Sequence, residues 1–436
     1  MRAGLSEGII TPNFPVLMAG YPEPKDRYHR EVHDDLFVHC FYLSNGGTEL
    51  GLISFDVGEL SKKRTRAIRE AVEKRCGIPA GGVSVSCTHT HSGPVTTTLS
   101  LWNDDRELYP FYLDFITEAA VEKMAQAKAG AFEAVLCAAR GYCGKEQGVG
   151  GNRRDKNGPA DPEVGVLGIR EQGGALRGIL INYALHPTFL HAESRALSAD
   201  YPGYVYRYFK ERQPSLVTGF LQGASGNQSS RHFRRDQSFD EARRVGYAIA
   251  AEAERALAPA PPLENPRLFA ASYGFDPPLY DIPTLDRALE GEQQARRDYE
   301  EARTAGKPYP LVRTLECSLI GAEHLLEIAR AGETAVRNIR GNSPFEVQIM
   351  GIGDYRFVFY PCEIFVEFAL RLKRESPLPV FFTTCTNGAA AGYICTPQAH
   401  AEGGYEALWT RYRPETGDML IDFTLDKLRD LTGRPD

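Results

Sequence analysis

Residues 50–94 set the architecture of this chain. Leu50-Gly51-Leu52-Ile53-Ser54-Phe55 and Val83-Ser84-Val85-Ser86-Cys87 are two apolar runs of strand length. Between them, Ser61 to Arg75 has its apolar residues at helical spacing and ends before Gly77-Ile78-Pro79. A strand-helix-strand unit of this kind predicts two parallel strands that lie side by side in one sheet.

The same pattern recurs through the rest of the chain, where further apolar runs of strand length alternate with amphipathic segments. The further predicted strands are 135–139, 164–169, 177–184, 216–221, 355–360 and 380–384, and the further predicted helices are 241–257 and 365–374. Alternating strands and helices are typical of α/β proteins. We therefore expect an α/β fold with a mostly parallel central sheet flanked by helices.

Two polar stretches lie outside this pattern. Ala258 to Asn265 is rich in proline and predicts a linker between subregions. Leu285 to Glu333 is polar and has helical spacing, with a break at Gly306-Lys307-Pro308-Tyr309-Pro310, and it predicts a helical insertion of two antiparallel helices. This insertion could line a substrate entrance, but we favour a surface insertion. Large α/β enzymes often fold as one unit, so residues 1–436 are expected to form a single domain.

The composition excludes several classes of protein. The 50 Lys+Arg and 57 Asp+Glu residues give a net charge of −7, which offers no global electrostatic support for binding nucleic acid. No apolar run is long enough for a transmembrane segment, and the first residues lack the apolar region of a secretory signal. The nine cysteines are scattered without a CxxC pair, which fits reduced thiols. These features predict a cytoplasmic protein.

Polar side chains follow the ends of the predicted strands. They are Asp56, His89, His91, His186, Ser229 and Glu363. In open α/β sheets, ligands bind beyond the carboxyl ends of the strands, so we expect these residues to lie close together.

The pair His89 and His91 suggests a metal site. Residues two apart on a strand share a face, so both imidazoles would point the same way. By itself the pair is a weak signal, because two polar residues at a strand end often simply hydrogen-bond. His186 and Glu363 at other strand ends strengthen it, and Asp56 on the neighbouring strand is placed to orient an imidazole. Three protein ligands with one open position make a hydrolytic zinc site.

A serine nucleophile is the main alternative from another class. Ser225 and Ser229 lie in a glycine-rich loop after a predicted strand, but this loop lacks the G-x-S-x-G pattern. The one match to that pattern, Gly4-Leu5-Ser6-Glu7-Gly8, follows no strand. We favour a loop role for Ser229 with a contact to substrate, and a serine hydrolase that uses Ser229, with His232 as the nearest histidine in sequence, stays open.

Arginine and tyrosine residues give weaker signals. Gly148 to Arg154 looks like an anion-binding loop but does not complete G-x-G-x-x-G, so it predicts no dinucleotide site. Arg153 could stabilise an oxyanion or bind a carboxylate, although most arginines are simply solvated. Tyr393 and Tyr405 read as structural residues, because buried tyrosines normally only need a hydrogen-bond partner. The basic cluster Arg231, His232, Arg234 and Arg235 is expected to face solvent.

Several of these segments together resemble the catalytic domain of the neutral ceramidase family. Residues 83–94, with Thr88-His89-Thr90-His91-Ser92-Gly93-Pro94, resemble the family's strand and THTHSGP signature, which is the most specific match. The other matching segments are Asn152-Arg153, Asn182-Tyr183-Ala184-Leu185-His186, Ser198 to Gly203, Pro361-Cys362-Glu363, Gly392-Tyr393-Ile394-Cys395-Thr396-Pro397 and Tyr405-Glu406.

The resemblance implies a mechanism and a set of site residues. It implies one Zn²⁺ held by His89, His186, Glu363 and Tyr393. His91 would be a catalytic neighbour of the metal, and Arg153 and Tyr405 would hold the substrate carbonyl and its developing charge. The implied activity is that of a zinc-dependent hydrolase of sphingolipid metabolism, which cleaves the amide bond of an N-acyl substrate with a metal-activated water.

Three departures from the family pattern bear on the substrate. The family's Gly-Asp-x-Ser-Pro-Asn is Gly226-Asn227-Gln228-Ser229-Ser230-Arg231 here, which loses the acid and the proline of a segment that faces substrate. The family's C-terminal immunoglobulin-like domain is expected to be absent, and the insertion at 285–333 has no assigned counterpart. A zinc esterase or amidase on a small polar, non-lipid acyl compound therefore stays an alternative, as does a non-catalytic metal-binding relative.

Overall fold

The computed structural model describes residues 1–21, 26–97, 107–388 and 392–432, with every side chain in these ranges except those of residues 309, 310 and 432. The strands are β1 (Arg2–Ile9), β2 (Glu31–Val32), β3 (Phe37–Ser44), β4 (Glu49–Phe55), β5 (Val83–Cys87), β6 (Phe132–Tyr142), β7 (Gly151–Asn152), β8 (Glu163–Glu171), β9 (Leu176–Tyr183), β10 (Ala196–Leu197), β11 (Val217–Gln222), β12 (Gln228–Ser229), β13 (Leu268–Phe275), β14 (Phe345–Ile352), β15 (Tyr355–Phe359), β16 (Glu363–Ile364), β17 (Val380–Thr383) and β18 (Tyr393–Ile394). The helices are α1 (Lys62–Cys76), α2 (Pro110–Ala129), α3 (Tyr201–Lys210), α4 (Phe239–Leu257), α5 (Leu285–Thr304), α6 (Tyr309–Ala331), α7 (Glu333–Gly341), α8 (Val366–Glu375), α9 (Pro397–Glu402), α10 (Tyr405–Trp409) and α11 (Thr416–Thr432).

The prediction of a strand-helix-strand unit at residues 50–87 is confirmed. β4 and β5 pair in parallel, with Gly51 opposite Val83, and α1 connects them. The Ser61 hydroxyl caps the start of α1 by accepting from the Arg64 N–H, and Gly77 ends the helix at a φ of 70°. Each of the other predicted strands also coincides with an observed strand.

The large sheet has the strand order β11-β9-β8-β6-β1-β3-β4-β5. Only β11 with β9 and β4 with β5 pair in parallel, and the other five neighbouring pairs are antiparallel. The expected α/β fold with a large central sheet is confirmed, but the expectation of a mostly parallel sheet is wrong. Parallel neighbours require a crossover, whereas short turns, such as the one that connects β3 to β4, join antiparallel neighbours.

A second sheet packs against the first. It has the order β13-β14-β15-β17, and residues of both sheets, such as Phe41 and Leu180 of the first and Phe357 and Phe381 of the second, share one buried cluster. Side chains alternate along β15, so Val358 points the other way, into a cluster with α8 and α11. Helices α1 to α4 cover the outer face of the first sheet. The core is therefore two sheets between two layers of helices.

The predicted insertion is a helical hairpin. α5 and α6 pack against each other, as expected from the break at residues 306–310. α6 also packs against α10, which carries Tyr405. The hairpin is therefore more than a surface insertion, because it contacts an element that bears a predicted site residue.

The carboxyl ends of the parallel strands meet at one end of the molecule. The N–H of Cys87, the last residue of β5, donates to the Cys385 carbonyl after β17 at 3.0 Å, and the Thr384 N–H donates to the Gln222 carbonyl of β11 at 2.8 Å. These bonds join the two sheets at this end. The loops that follow the strands form the candidate site.

Candidate metal centre and active site

His89 enters the site at the end of β5. Its backbone has a φ of 66°, a conformation that residues other than glycine seldom adopt. The conformation is fixed because the His89 N–H donates to the Val57 carbonyl at 3.0 Å, and its ring Nδ1 lies 2.9 Å from the Gly58 carbonyl. The loop after β4 therefore orients the imidazole that β5 delivers.

His186 follows β9 and is completely buried. Its N–H donates to the Gln228 carbonyl at 3.1 Å, and its ring Nδ1 lies 2.7 Å from the Ser225 carbonyl. The loop after β11 thus fixes both the backbone and the ring of His186. Burial and the charge of Arg153 lower the pKa of His186 to about 4, so the ring is neutral near pH 7.

Glu363 approaches both imidazoles from the second sheet. It begins β16, which pairs in parallel with β18 so that Glu363 lies opposite Tyr393. Its Oε2 is 3.2 Å from Nε2 of His89 and 3.0 Å from Nε2 of His186. Burial would raise the pKa of the Glu363 carboxyl, but its close contacts with His89 and His186 outweigh burial and hold that pKa well below its usual value.

This donor set fits a divalent metal. Each Nδ1 faces a carbonyl oxygen, which can only accept, so Nδ1 carries the proton and Nε2 presents a lone pair. Nε2 of His186 and Oε2 of Glu363 are buried and form no hydrogen bond with any described residue. Tetrahedral zinc with bonds of 2.0–2.2 Å holds its ligand atoms about 3.3 Å apart, close to the spacing seen here.

His91 belongs to the same cluster. Its Nε2 is 3.4 Å from Nε2 of His89, and ring nitrogens of His89, His91 and His186 all lie within 4.8 Å of one another. Burial and the charges of the other two histidines hold the pKa of His91 well below its usual value. The cluster could hold a metal, and the role of His91 as a neighbour of the metal stays a prediction.

Arg153 forms the adjoining wall. Its Nε donates to Glu406 Oε1 at 2.9 Å, and its guanidinium lies 5.6 Å from the centre of the Tyr393 ring. Burial would lower the pKa of Arg153, but the neighbouring Tyr393 and Glu406 raise it, so the group stays a cation. Its Nη2 is buried and has no hydrogen-bond partner within the described ranges. A buried donor without a partner is available to a ligand.

Tyr393 and Tyr405 complete this wall. Their ring centres are 5.9 Å apart, and Tyr405 is the first residue of α10. Burial is the main cause that raises the pKa of both hydroxyls, so both remain protonated near neutral pH. The structure therefore brings seven of the eight predicted site residues together, and the eighth, Ser229, follows Gln228, whose carbonyl accepts from the His186 N–H.

Comparison with solved structures agrees with this arrangement. No protein-family model matches the chain. The crystal structure of neutral ceramidase from Pseudomonas aeruginosa superposes with a TM-score of 0.76 at 20% identity, over 99% of this chain and 74% of that chain. A ceramidase complexed with C2 superposes with a TM-score of 0.73 at 19% identity, over 99% of this chain and 75% of that chain.

The chain has the neutral ceramidase fold. The resemblance of the sequence motifs predicts this fold, and the two superpositions confirm it. In this neutral ceramidase fold, the segments quoted for the resemblance supply the candidate metal site and its adjoining wall. Three of them, 83–94, 182–186 and 361–363, each deliver one donor of the cluster from a different strand end.

The Ser229 hydroxyl makes its hydrogen bond within its own turn. Ser229 pairs with Gly151 in the short β12–β7 ladder, and its hydroxyl accepts a hydrogen bond from the Arg231 N–H at 3.2 Å. His232 is exposed, and its Nε2 faces the Arg153 carbonyl at 3.1 Å. These contacts give Ser229 a role in its own turn, and its contact with substrate stays a prediction.

The prediction that Asp56 orients an imidazole of the cluster is wrong. Asp56 is fully buried and accepts from the Tyr206 hydroxyl at 2.9 Å and the Phe37 N–H at 2.9 Å. The backbone carbonyl of Gly58, two residues later, takes the orienting role. The side chain of Asp56 points back among β3 and α3, because the chain turns between Asp56 and Gly58.

Sequence reasoning missed three residues near the cluster. Arg27 is fully buried and donates to the carbonyls of His91 at 2.8 Å and Ala19 at 2.9 Å, which fixes the backbone at His91. Burial and the charge of Glu363 raise the pKa of Glu59 to about 6, which places its carboxyl within electrostatic range of the cluster. The Cys385 thiol lies beside the His89 ring. No motif marked Arg27 or Cys385, whereas Glu59 lies four residues beyond the end of β4.

Proposed function

We propose that this protein is a zinc-dependent hydrolase that cleaves the amide bond of an N-acyl substrate, similar to a ceramidase. The observation that carries the proposal is the convergence of three donor atoms, Nε2 of His89, Nε2 of His186 and Oε2 of Glu363, the last two of which have no hydrogen-bond partner among the described residues. A metal is the partner that such a set of lone pairs requires. The likeness to the two ceramidase structures supports the choice of reaction.

His89, His186 and Glu363 would hold the metal, with Tyr393 as the fourth ligand from the strand beside Glu363. When bound, zinc would act as a Lewis acid and lower the pKa of a water in the open position. The carbonyls of Gly58 and Ser225 keep the proton of each imidazole on Nδ1, which leaves Nε2 free for this role.

His91 would move the proton of the reaction. Its ring is neutral near pH 7, so it can accept a proton and then deliver it to the leaving amine nitrogen. An amine leaves poorly unless it is protonated, so amide cleavage requires such a group. Arg27, bonded to the His91 carbonyl, holds this residue in place.

Arg153 and Tyr405 would stabilise the negative charge that develops on the carbonyl oxygen. Nη2 of Arg153 is a buried donor without a hydrogen-bond partner among the described residues, and the Tyr405 hydroxyl stays protonated and can donate. Donors that are fixed in advance contribute more than water, because they do not reorganise during the reaction. The salt bridge to Glu406 fixes the guanidinium of Arg153.

The test of this function combines metal content with hydrolysis. Purified protein is analysed for metals, then assayed on a panel of N-acyl and O-acyl compounds before and after chelation and after zinc is returned. We expect one zinc per chain, loss of hydrolysis on chelation, and recovery with zinc. Protein that neither contains nor gains zinc, or that hydrolyses equally well without it, would refute the proposal. The O-acyl compounds decide between an amidase and an esterase.

A further inference from the structure

The helical hairpin of α5 and α6 makes a close contact with α10. Gly321 of α6 faces Leu408 so closely that a Cβ atom at Gly321 would lie 2.7 Å from the Leu408 Cβ. One turn further along α6, the buried ring of His324 stacks on Trp409, with ring centres 3.5 Å apart and planes 10° apart. Two consecutive residues of α10 are therefore seated on one face of α6.

α10 depends on this contact for its position. It has five residues, far fewer than an isolated helix needs to be stable in water. Gly403 and Gly404 precede it with φ angles of 73° and 93°. Glycine has little backbone preference of its own, so this pair does not set the direction in which α10 begins. Neither feature fixes the direction of α10, whereas the packing on Gly321 and His324 and the salt bridges of Glu406 do.

The first two residues of α10 lie towards the candidate metal site, and the Tyr405 ring also lies 5.5 Å from the Trp409 ring that stacks on His324. Tyr405 lies against Tyr393, and Glu406 binds Arg153 at 2.9 Å and Arg154 at 2.8 Å. A shift of α10 would move the Tyr405 hydroxyl and would also move the carboxylate that fixes the Arg153 guanidinium. The same five-residue helix therefore contacts both the hairpin and the predicted substrate-binding groups of the candidate site.

We propose that the α5–α6 hairpin is a positioning element of the active site, with Gly321 and His324 as its positioning residues. They act through α10 on Tyr405 and Arg153. This inference rests on the proposed function, because Tyr405 and Arg153 matter to turnover only if the site is hydrolytic.

Gly321→Ala tests the contact with the smallest possible change. Alanine favours a helix more than glycine does, so this change does not weaken α6 itself. Its methyl group must displace Leu408 and with it α10. Because misplacement of catalytic groups by 1 Å can cost about a hundredfold in rate, we expect kcat to fall at least about tenfold. KM and zinc content should stay within about twofold, since the metal ligands lie on other elements.

Gly291→Ala is the matched control. Gly291 lies in α5 of the same hairpin, and a Cβ there meets no atom within 4 Å. The two variants make the same chemical change in the same hairpin, and only one of them meets α10. A second pair is His324→Ala, which removes the stack on Trp409, and His324→Phe, which keeps a flat ring in its place.

Trp409 provides a readout that does not depend on activity. The chain has two tryptophans, Trp102 and Trp409, so in a Trp102→Phe background the emission comes from α10 alone. We expect Gly321→Ala and His324→Ala to increase acrylamide quenching of Trp409 and to lower kcat, while Gly291→Ala and His324→Phe change neither by more than about twofold.

Each outcome is decisive. Unchanged quenching in Gly321→Ala and His324→Ala would show that α6 does not hold α10, and would overturn the inference. Increased quenching with an unchanged kcat would also overturn it, because α10 would then move without effect on the site. A wild type that hydrolyses no acyl substrate would refute the proposed function instead, and the Trp409 readout would still decide whether the hairpin holds α10.

Discussion

Oε2 of Glu363 lies 3.0 Å from Nε2 of His186 without forming a hydrogen bond to it. The proton of the imidazole is on the other nitrogen, which faces the Ser225 carbonyl at 2.7 Å. Two buried acceptors this close repel each other unless a cation lies between them. Nε2 of His89 lies 3.2 Å from the same carboxylate oxygen, so one cation could contact all three side chains.

Removal of one donor should release the metal. We expect His186→Ala, His89→Ala and Glu363→Gln each to reduce bound zinc from one per chain to less than about a tenth. The matched control is His232→Ala, which removes an exposed imidazole and should leave zinc unchanged. The measurement is elemental analysis after dialysis against zinc-free buffer. Full zinc occupancy in His186→Ala and Glu363→Gln would place the metal elsewhere.

His91→Ala should separate catalysis from metal binding. We expect it to retain zinc and to lose about a hundredfold to ten-thousandfold in kcat, the usual contribution of a general acid or base. Zinc content and kcat are measured on the same preparation. A variant as poor in zinc as His89→Ala would make His91 a ligand, which its 3.4 Å distance from His89 also allows.

Ser229→Ala should remain active. Its hydroxyl accepts a hydrogen bond from the Arg231 N–H within its own turn, so we expect KM to change more than kcat. Pre-steady-state assays and mass spectrometry check this result. A burst of product or an acyl group trapped on Ser229 in the wild type would indicate covalent catalysis if both are lost in the variant.

His324 should make the stability of the protein sensitive to acid. Burial and the charge of Arg411 lower the pKa of His324 to about 3, below its ordinary value. The folded state favours the neutral ring, so the contribution of His324 is fully present above about pH 6.5 and is lost as pH falls towards 3. Between pH 7 and 5 this amounts to at most about 2 kcal/mol.

The comparison for this prediction is with His324→Phe, which cannot titrate and keeps the stack on Trp409. Denaturant unfolding at pH 7 and pH 5 should show a smaller loss of stability on acidification in His324→Phe than in the wild type. An equal loss in both proteins would show that His324 is already able to ionise in the folded state.

Polar acyl compounds should be better substrates than long-chain ceramide. The loop that resembles the family's substrate-facing segment ends at Arg231, which is partly buried, and burying a cation beside a lipid tail without a partner is costly. The measurement is kcat/KM for a short polar N-acyl compound against detergent-solubilised ceramide. A clear preference for long-chain ceramide would contradict this prediction.

Within the described ranges, no helix combines the length and the apolar character that crossing a membrane requires.

The site was largely predictable because its donors follow strands with strong apolar patterns. β5, β9 and β15 are recognisable from the sequence, and His89, His186 and Glu363 come at or just beyond their carboxyl ends. The position of each donor after a predicted strand therefore indicated that these side chains lie together beyond the carboxyl ends of the strands. Tyr393 and Tyr405 entered only through the resemblance, since a short strand and a five-residue helix leave no clear periodicity.

What the sequence could not determine depends on contacts between distant segments. β1 carries Gly4, Ser6, Glu7 and Gly8, residues that disfavour a strand, yet it lies between β3 and β6 because pairing with both satisfies its backbone groups. The direction of pairing was likewise invisible, because a strand has the same side-chain period in parallel and antiparallel sheets. The prediction of a mostly parallel sheet was wrong for this reason.

The sequence by itself determined the α/β alternation, the helical hairpin and the set of donors that come together. Only the tertiary structure decided what orients them. A backbone carbonyl orients each metal-site imidazole, where the side chain of Asp56 had been expected for one of them, and the hairpin reaches the site through Gly321 and α10. Every residue has a backbone carbonyl, and glycine has no side chain, so neither contact can be predicted from the amino-acid sequence.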